Sequence, residues 1–353
     1  MKKLLKWGLV AASVPLAIVG ICASLLYIPV FQDWAVEQVS SYASEKTGMD
    51  ISVDKVRLKF PLKLSVEGVK VIQPNESIPQ LKDTITNIGK IVADVKVLPL
   101  LKKRVEIDQL DFHDAKINTS DFVKDARVKG NIGSLSIKSH GIDLKNHTIR
   151  IDEGALADAN LEINLADSVP PDTTETQTPW KIVADKIDVK NSTVNVAMPD
   201  NIQQIHAEIG NLSAKDGNFD LSTKQYKVGK LDIDKSRVCY DDKMKTYSKG
   251  LDTNHLDFQD ISISTDSISY KEDHLEANLR KASFKEKSGL DVRQVAANIV
   301  MDDGKIKLKN ALVETPDSRL RADFDMDMNT FDVKNPGKLN ANVNMSLGKQ
   351  DVM

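Results

Sequence analysis

The sequence predicts a mainly β protein that begins with a transmembrane helix and a short amphipathic helix. Three observations support this fold class. Residues 7–30 carry no charge, residues 31–48 follow a helical period, and apolar and polar residues alternate from residue 51 onward. Alternation places every second side chain on the same face of a strand, so the rest of the chain is expected to form an antiparallel sheet of repeated hairpins.

The composition narrows the functional classes. The chain has 353 residues with a formal net charge of -3, and acidic and basic residues are interspersed. No basic footprint for nucleic acid is therefore present. Aromatic residues make up only 5% of the chain, which is little for a large closed core. The two cysteines, Cys22 and Cys239, lie in dissimilar segments and predict no disulfide.

Residues 1–30 are predicted to be a cytoplasmic tip followed by a membrane anchor. At about 1.5 Å per residue, the uncharged segment 7–30 is long enough to cross the hydrocarbon core of a bilayer. Lysines precede this segment, which favours a cytoplasmic N-terminus. A cleaved signal peptide is the alternative, but its apolar region is usually shorter. The predicted anchor side chains are Leu9, Val10, Leu16, Ile18, Val19, Ile21, Leu25, Leu26, Ile28 and Val30.

Residues 31–48 are predicted to form an amphipathic helix. Phe31, Ala35 and Val39 recur at helical spacing, and Gly48 provides a natural stop. Trp34 is a candidate for the headgroup level of a membrane or for packing on the first strands.

Residues 49–353 are predicted to form the β body. Short polar sequences interrupt the alternation, for example Asn191-Ser192 and Asp234-Lys235-Ser236, and are interpreted as turns between the strands of hairpins. The segment 168–179 is rich in proline and threonine and is interpreted as an exposed loop within one continuous sheet. Residues 339–347 alternate like a further strand whose edge is left uncovered. This pattern predicts either a truncated copy of a longer protein or an edge that docks a partner.

Almost no helix remains to cover an apolar sheet face. Either two sheets pack face to face, or one sheet curls around material that is not protein. The residue pattern is compatible with both arrangements.

No motif for catalysis or for a cofactor occurs in the sequence. The histidines are scattered, without the spacing of metal ligands. Asp323, Asp325 and Asp327 fall on one strand face, where their carboxylates could bind a hard cation such as calcium. However, a strand spreads these side chains about 7 Å apart, so a solvated outer face is the favoured interpretation. We therefore expect neither an enzyme nor a metal or cofactor site.

Residues 40–120 resemble the N-terminal region of the AsmA-like superfamily, of the TamB type, which is related to chorein-type bridge-like lipid transfer proteins. The resemblance rests on the order of weak motifs behind a single anchor helix. These are Thr47-Gly48, the segments 51–56 and 60–69, and the runs 91–101 and 104–110.

This resemblance implies an elongated, curved β groove with an apolar interior, anchored in the inner membrane with its body in the periplasm of a Gram-negative-type envelope. It implies outer-membrane biogenesis, with phospholipid as bound cargo and the phospholipid membrane as partner. The alternative is a scaffold that assists assembly or secretion of outer-membrane β-barrel proteins. The candidate groove-lining residues are Val105, Ile107, Leu161, Ile163, Ile187, Val189, Ile261 and Ile263.

Overall fold

The computed structural model describes residues 32–34, 36, 37, 40, 41, 44, 45, 48–59, 62–74, 82–96, 107–119, 126–143, 147–165, 180–330 and 336–349. The predicted anchor, the loop 168–179 and Val105 lie outside these residues. The described positions between 32 and 45 are helical. No helix among the described residues has the length and apolar character needed to cross a membrane.

The fold is mainly β, as predicted, and the chain divides into two units between Ile117 and Asn118. The first unit contains β1 (Asp50–Ser52), β2 (Lys55–Lys59), β3 (Lys63–Pro74), β4 (Lys82–Val95) and β5 (Ile107–Asn118). Its strands are all antiparallel. β3 pairs with β1 and β2 on one side and with β4 on the other, and β4 pairs with β5.

The second unit contains the longer strands. They are β6 (Ala126–Asp143), β7 (Thr148–Leu165), β8 (Lys181–Ala197), β9 (Gln203–Asp220), β10 (Gln225–Val228), β11 (Lys230–Asp242), β12 (His255–Lys271), β13 (His274–Glu286), β14 (Asp291–Asp302), β15 (Lys305–Glu314), β16 (Arg319–Asp327) and β17 (Leu339–Ser346). The 3-10 turn Pro199–Asn201 joins β8 to β9.

Strands of the second unit pair with their neighbours in chain order. β10 and β11 follow each other along β9 and β12, so they occupy one strand position. From β11 to β17 every pairing is an antiparallel step to the next strand.

The pairing of β7 with β8 departs from the predicted array of hairpins, because it is parallel. Thr148 faces Lys181 and Asn164 faces Ala197, so the two strands run in the same direction. A parallel pair needs a connection of a dozen or more residues to return the chain to its starting end. Residues 166–180, which contain the proline- and threonine-rich segment, make this connection.

The polar sequences interpreted as turns lie inside strands, so that interpretation is wrong. Asn191 lies within β8 and Lys235 within β11, and both have positive φ, of 45° and 52°. A residue in this left-handed conformation inserts a bulge and lets the strand continue. Asparagine and aspartate favour both turns and left-handed positions, and therefore the sequence pattern does not separate the two.

These bulges align from strand to strand and form a line that we call the crease. Each contains a left-handed residue followed by a buried one. The members are Asp158-Ala159, Asn191-Ser192, Lys235-Ser236, Asp260-Ile261 and Asn310-Ala311. The strand register places buried residues opposite each other on neighbouring strands: Ser236 faces Ile261, and Ala311 faces Ala322.

Two hydroxyl groups replace the ladder hydrogen bonds that the bulges interrupt. Ser192 Oγ accepts from the Ala159 amide at 3.3 Å and donates to the Lys190 carbonyl at 2.8 Å. Ser236 Oγ makes the equivalent bonds with the Gly210 amide at 3.2 Å and the Asp234 carbonyl at 3.1 Å. Buried backbone groups are costly when unpaired, so these hydroxyls stabilise the crease.

Close backbone approach at the crease requires a glycine opposite Lys235. A Cβ atom at Gly210 would lie 2.3 Å from the Lys235 carbonyl oxygen and 2.9 Å from the Lys235 Cβ. Neither contact can be relieved by rotating a side chain, since one atom is backbone and the other is fixed to it.

We therefore expect Gly210→Ala to destabilise the second unit by about 1–3 kcal/mol, the usual cost of overpacking. Gly154→Ala is the matched control, because its Cβ would meet only the Cδ1 end of Ile187 at close range. Urea denaturation followed by circular dichroism measures both. Equal midpoints for the two variants would contradict the proposed role of the crease.

Candidate functional site

The candidate site is one face of the sheet in the second unit, which we call the apolar face. Cross-strand pairing sorts its side chains into rows that run across the strands. The row on one side of the crease contains Leu135, Leu156, Val189, Leu212, Ile233 and Ile263. Two rows on the other side contain Leu161, Val194, Ala207, Val238 and Phe258, and then Ile163, Val196, Ile205, Tyr240 and Leu256.

The large side chains of these rows are only half-buried. Within the described part of the second unit, the fully buried apolar residues are alanines, with Ile261 and Val292 as the exceptions. A closed two-layer core would instead bury its leucine, isoleucine and phenylalanine side chains. No described part of the second unit therefore covers the apolar face as a second layer.

Small residues of the crease lie between the rows and beneath their side chains. Ala159 and Ser192 are each 3% exposed, and Ser236 is 5% exposed. Small side chains at this line let the longer flanking side chains close over it, whereas a large residue would hold the rows apart. Ile261 is the large member of the crease and is 8% exposed.

Most of the predicted groove residues reach this face. Leu161 and Ile163 belong to the rows beyond the crease, and Val189 and Ile263 belong to the row before it. Ile187 lies on the same face, opposite Gly154 and Ala214, and Ile261 lies in the crease.

Ile107 is in the first unit, where it pairs with Val95 and is 38% exposed. The structure therefore brings six of the predicted residues together in the second unit, and Ile107 belongs to the first unit.

One polar atom on the apolar face has no partner among the described residues. Thr265 is 5% exposed, and its Oγ1 makes no hydrogen bond. Thr265 faces Leu231, which in turn faces Ala214 in the row of Ile187. A buried hydroxyl without a partner is uncommon, because its desolvation is not compensated.

The opposite face carries a network of charged side chains around Arg237. Its guanidinium donates from Nε and Nη2 to the two carboxylate oxygens of Asp257, at 2.9 and 2.8 Å. A third bond reaches Glu208 at 3.3 Å, and Glu208 also contacts His206 at 3.0 Å. This network joins β9, β11 and β12 across their polar sides.

Hydrogen bonding from Arg237 holds the pKa of Asp257 well below its usual range, and Asp257 in turn raises the pKa of Arg237. Burial raises the pKa of the neighbouring Cys239 thiol, whose Sγ lies 3.4 Å from Asp257. A thiol with a raised pKa is a weaker nucleophile at neutral pH than a thiolate.

The carboxylates considered for a metal have separate partners. Asp323 accepts from the Asn310 amide at 2.8 Å, at the crease, and Asp327 accepts from the Lys338 amide at 2.8 Å. Asp325 pairs with Lys307 at 3.9 Å. The described residues contain no group of three or more potential ligands that could hold a metal ion.

We expect Asp257→Asn to lower stability at neutral pH by about 1–2 kcal/mol, because it removes charged hydrogen bonds to Arg237. The pKa of Asp257 is lower in the folded state than in the unfolded state, where it is about 4. Its stabilisation of the fold is therefore present above about pH 4 and is lost as the pH falls through the folded-state pKa. The variant should therefore lose less stability than the wild type on acidification. Asp266→Asn, whose partner Arg280 forms an exposed pair, should change little. Denaturation midpoints between neutral and acidic pH measure both.

Comparison with known proteins adds no assignment. No protein-family model and no curated protein sequence matches this chain. The resemblance to the AsmA-like superfamily therefore rests on the residues of the chain itself.

Proposed function

We propose that this chain is a membrane-anchored periplasmic protein of outer-membrane biogenesis that holds or conducts phospholipid along its apolar face. The observation that carries the proposal is the half-buried state of the rows flanking the crease. Large aliphatic side chains without a protein layer above them gain free energy when acyl chains cover them, at about 0.8 kcal/mol per buried methylene.

The dimensions of the rows suit an acyl chain. Adjacent strands lie about 4.8 Å apart, so a row that crosses the six strand positions from β6 to β12 is about 24 Å long. An acyl chain lying along a row would contact aliphatic side chains for most of its length.

The remaining parts of the proposal come from the sequence. Residues 1–30 would anchor the chain in the inner membrane of a Gram-negative-type envelope with the β body in the periplasm. Binding along an apolar face requires no catalytic residue and no cofactor, so the protein is proposed not to be an enzyme.

A photocrosslinking amino acid placed on the two faces of β12 tests the function. At Ile263 it would point into a row of the apolar face, whereas at the adjacent Ser262 it would point to the opposite face. We expect phospholipid adducts from the full chain in cells at Ile263 and few at Ser262, measured by mass spectrometry. Equal lipid labelling at the two positions would sink the proposal.

The alternative function, a scaffold for outer-membrane β-barrel proteins, is favoured by the edge of β17. All eight residues of β17 are exposed, and among the described strands it pairs only with β16. Its sequence, LNANVNMS, contains no charge and no proline, the usual protections of a sheet edge. An antiparallel strand of a barrel protein could extend the sheet there.

A crosslinker at Asn342 separates this alternative from lipid binding. If the protein is a scaffold, a crosslinker at Asn342 should form adducts with outer-membrane β-barrel proteins. The control position is the exposed Lys309 of β15, a strand with neighbours on both sides, where these adducts should be missing. Lipid adducts alone at Asn342 would argue against the scaffold.

A further inference from the structure

The connection between β11 and β12 exposes apolar and basic side chains together. We call residues 243–254 the basic loop. Its apolar side chains are among the most exposed in the described chain, with Met244 and Tyr247 each 73% exposed and Leu251 52% exposed. Three lysines alternate with them and are also exposed: Lys243, Lys245 and Lys249.

Carboxylates at the base of the loop are turned inward. Asp252 is 2% exposed; its oxygens accept from the Ser248 amide at 2.8 Å and the Asn254 amide at 3.1 Å, and it bonds His255 Nδ1 at 2.9 Å. The Ser248 amide lowers the pKa of Asp252 to about 2, with His255 contributing. Asp242 is 7% exposed and accepts from the Met244 amide at 3.0 Å.

Tyr247 is held in place at the surface. Its ring stacks on the buried His255 with centroids 3.8 Å apart, and its hydroxyl lies 3.1 Å from Asp241. Lys287, from the turn between β13 and β14, places its Nζ 5.4 Å from the ring centroid. The neighbouring Glu286 is 3% exposed and accepts from the Ser288 amide at 2.7 Å.

The inward carboxylates leave the outer surface of the loop positively charged. Lys243, Lys245, Lys249 and Lys287 are exposed, and none forms an ion pair with another described residue. Asp241 is half-buried and bonds the tyrosine hydroxyl. The lysines are therefore available to an anionic partner, while the internal hydrogen bonds fix the loop.

We propose that the basic loop docks onto the surface of an anionic phospholipid bilayer. The lysines would contact headgroup phosphates, and Met244, Tyr247 and Leu251 would enter the interface. Single apolar side chains separated by lysines suit a bilayer, whose interface accepts them one by one. A protein partner would instead favour a contiguous apolar patch. This docking site is independent of the lipid binding proposed for the apolar face.

A two-membrane assay tests the docking of the full chain. The chain is reconstituted in neutral phosphatidylcholine nanodiscs, which occupy the predicted anchor, and is mixed with separate vesicles before flotation. We expect the nanodiscs to float with vesicles of phosphatidylglycerol and phosphatidylcholine in equal parts. They should not float with pure phosphatidylcholine vesicles, and added salt should release them.

Substitutions then assign the binding to the loop. K243Q/K245Q/K249Q should weaken vesicle binding about 100-fold, because each basic residue near an anionic surface contributes about fivefold. The matched control K224Q/K271Q/K305Q changes charge equally at other exposed lysines and should bind normally. The arginine variants K243R/K245R/K249R should restore binding, and M244S/L251S should weaken it with the charge intact.

Three results would overturn the proposal: no flotation with anionic vesicles, an equal loss in the matched control, or displacement by soluble polyglutamate with no effect of M244S/L251S. The last result would indicate an acidic protein as the partner. Thermal melts followed by circular dichroism verify that each variant is folded, so a loss of binding can be read as a loss of docking.

Discussion

The crease is the constraint on which the rest of the second unit depends. At Lys235 the left-handed residue must meet a neighbour that tolerates close backbone approach, and Gly210 is that neighbour. The interrupted ladder must also be repaired, which Ser192 and Ser236 do with their hydroxyls. One misplaced bulge would shift the alternation of its strand by one residue and turn its apolar side chains to the wrong face.

The bulge therefore explains why the apolar face is continuous. In β7, Leu156 and Leu161 are an odd number of residues apart and would lie on opposite faces of a regular strand. The extra residue at Asp158 returns them to the same face. Stability then comes from pairing between neighbouring strands and from polar contacts such as Arg237 with Asp257, rather than from a closed core.

Alternation in the sequence is sufficient to predict the β class and six members of the apolar face, because the period of two depends only on the local backbone. The bulges were missed, since Asn191-Ser192 reads equally well as a turn. The parallel pairing of β7 with β8 depends on contacts between distant residues, which periodicity does not report. The basic loop was missed for another reason: only the fold reveals that Asp242 and Asp252 point inward.

The parallel pairing of β7 with β8 reverses the direction of every later strand, compared with a sheet in which all neighbours are antiparallel. In an uninterrupted meander, the connections after alternate strands appear at alternate ends of the sheet. One parallel step exchanges the ends for every later connection. The turn at Pro199–Asn201, the basic loop and the turn at Lys287 follow alternate strands of the antiparallel run after β8, so they share one end. At this end the Lys243 amide donates to the Ile202 carbonyl at 3.1 Å. The parallel step therefore decides at which end of the sheet the basic loop lies relative to β6 and β7.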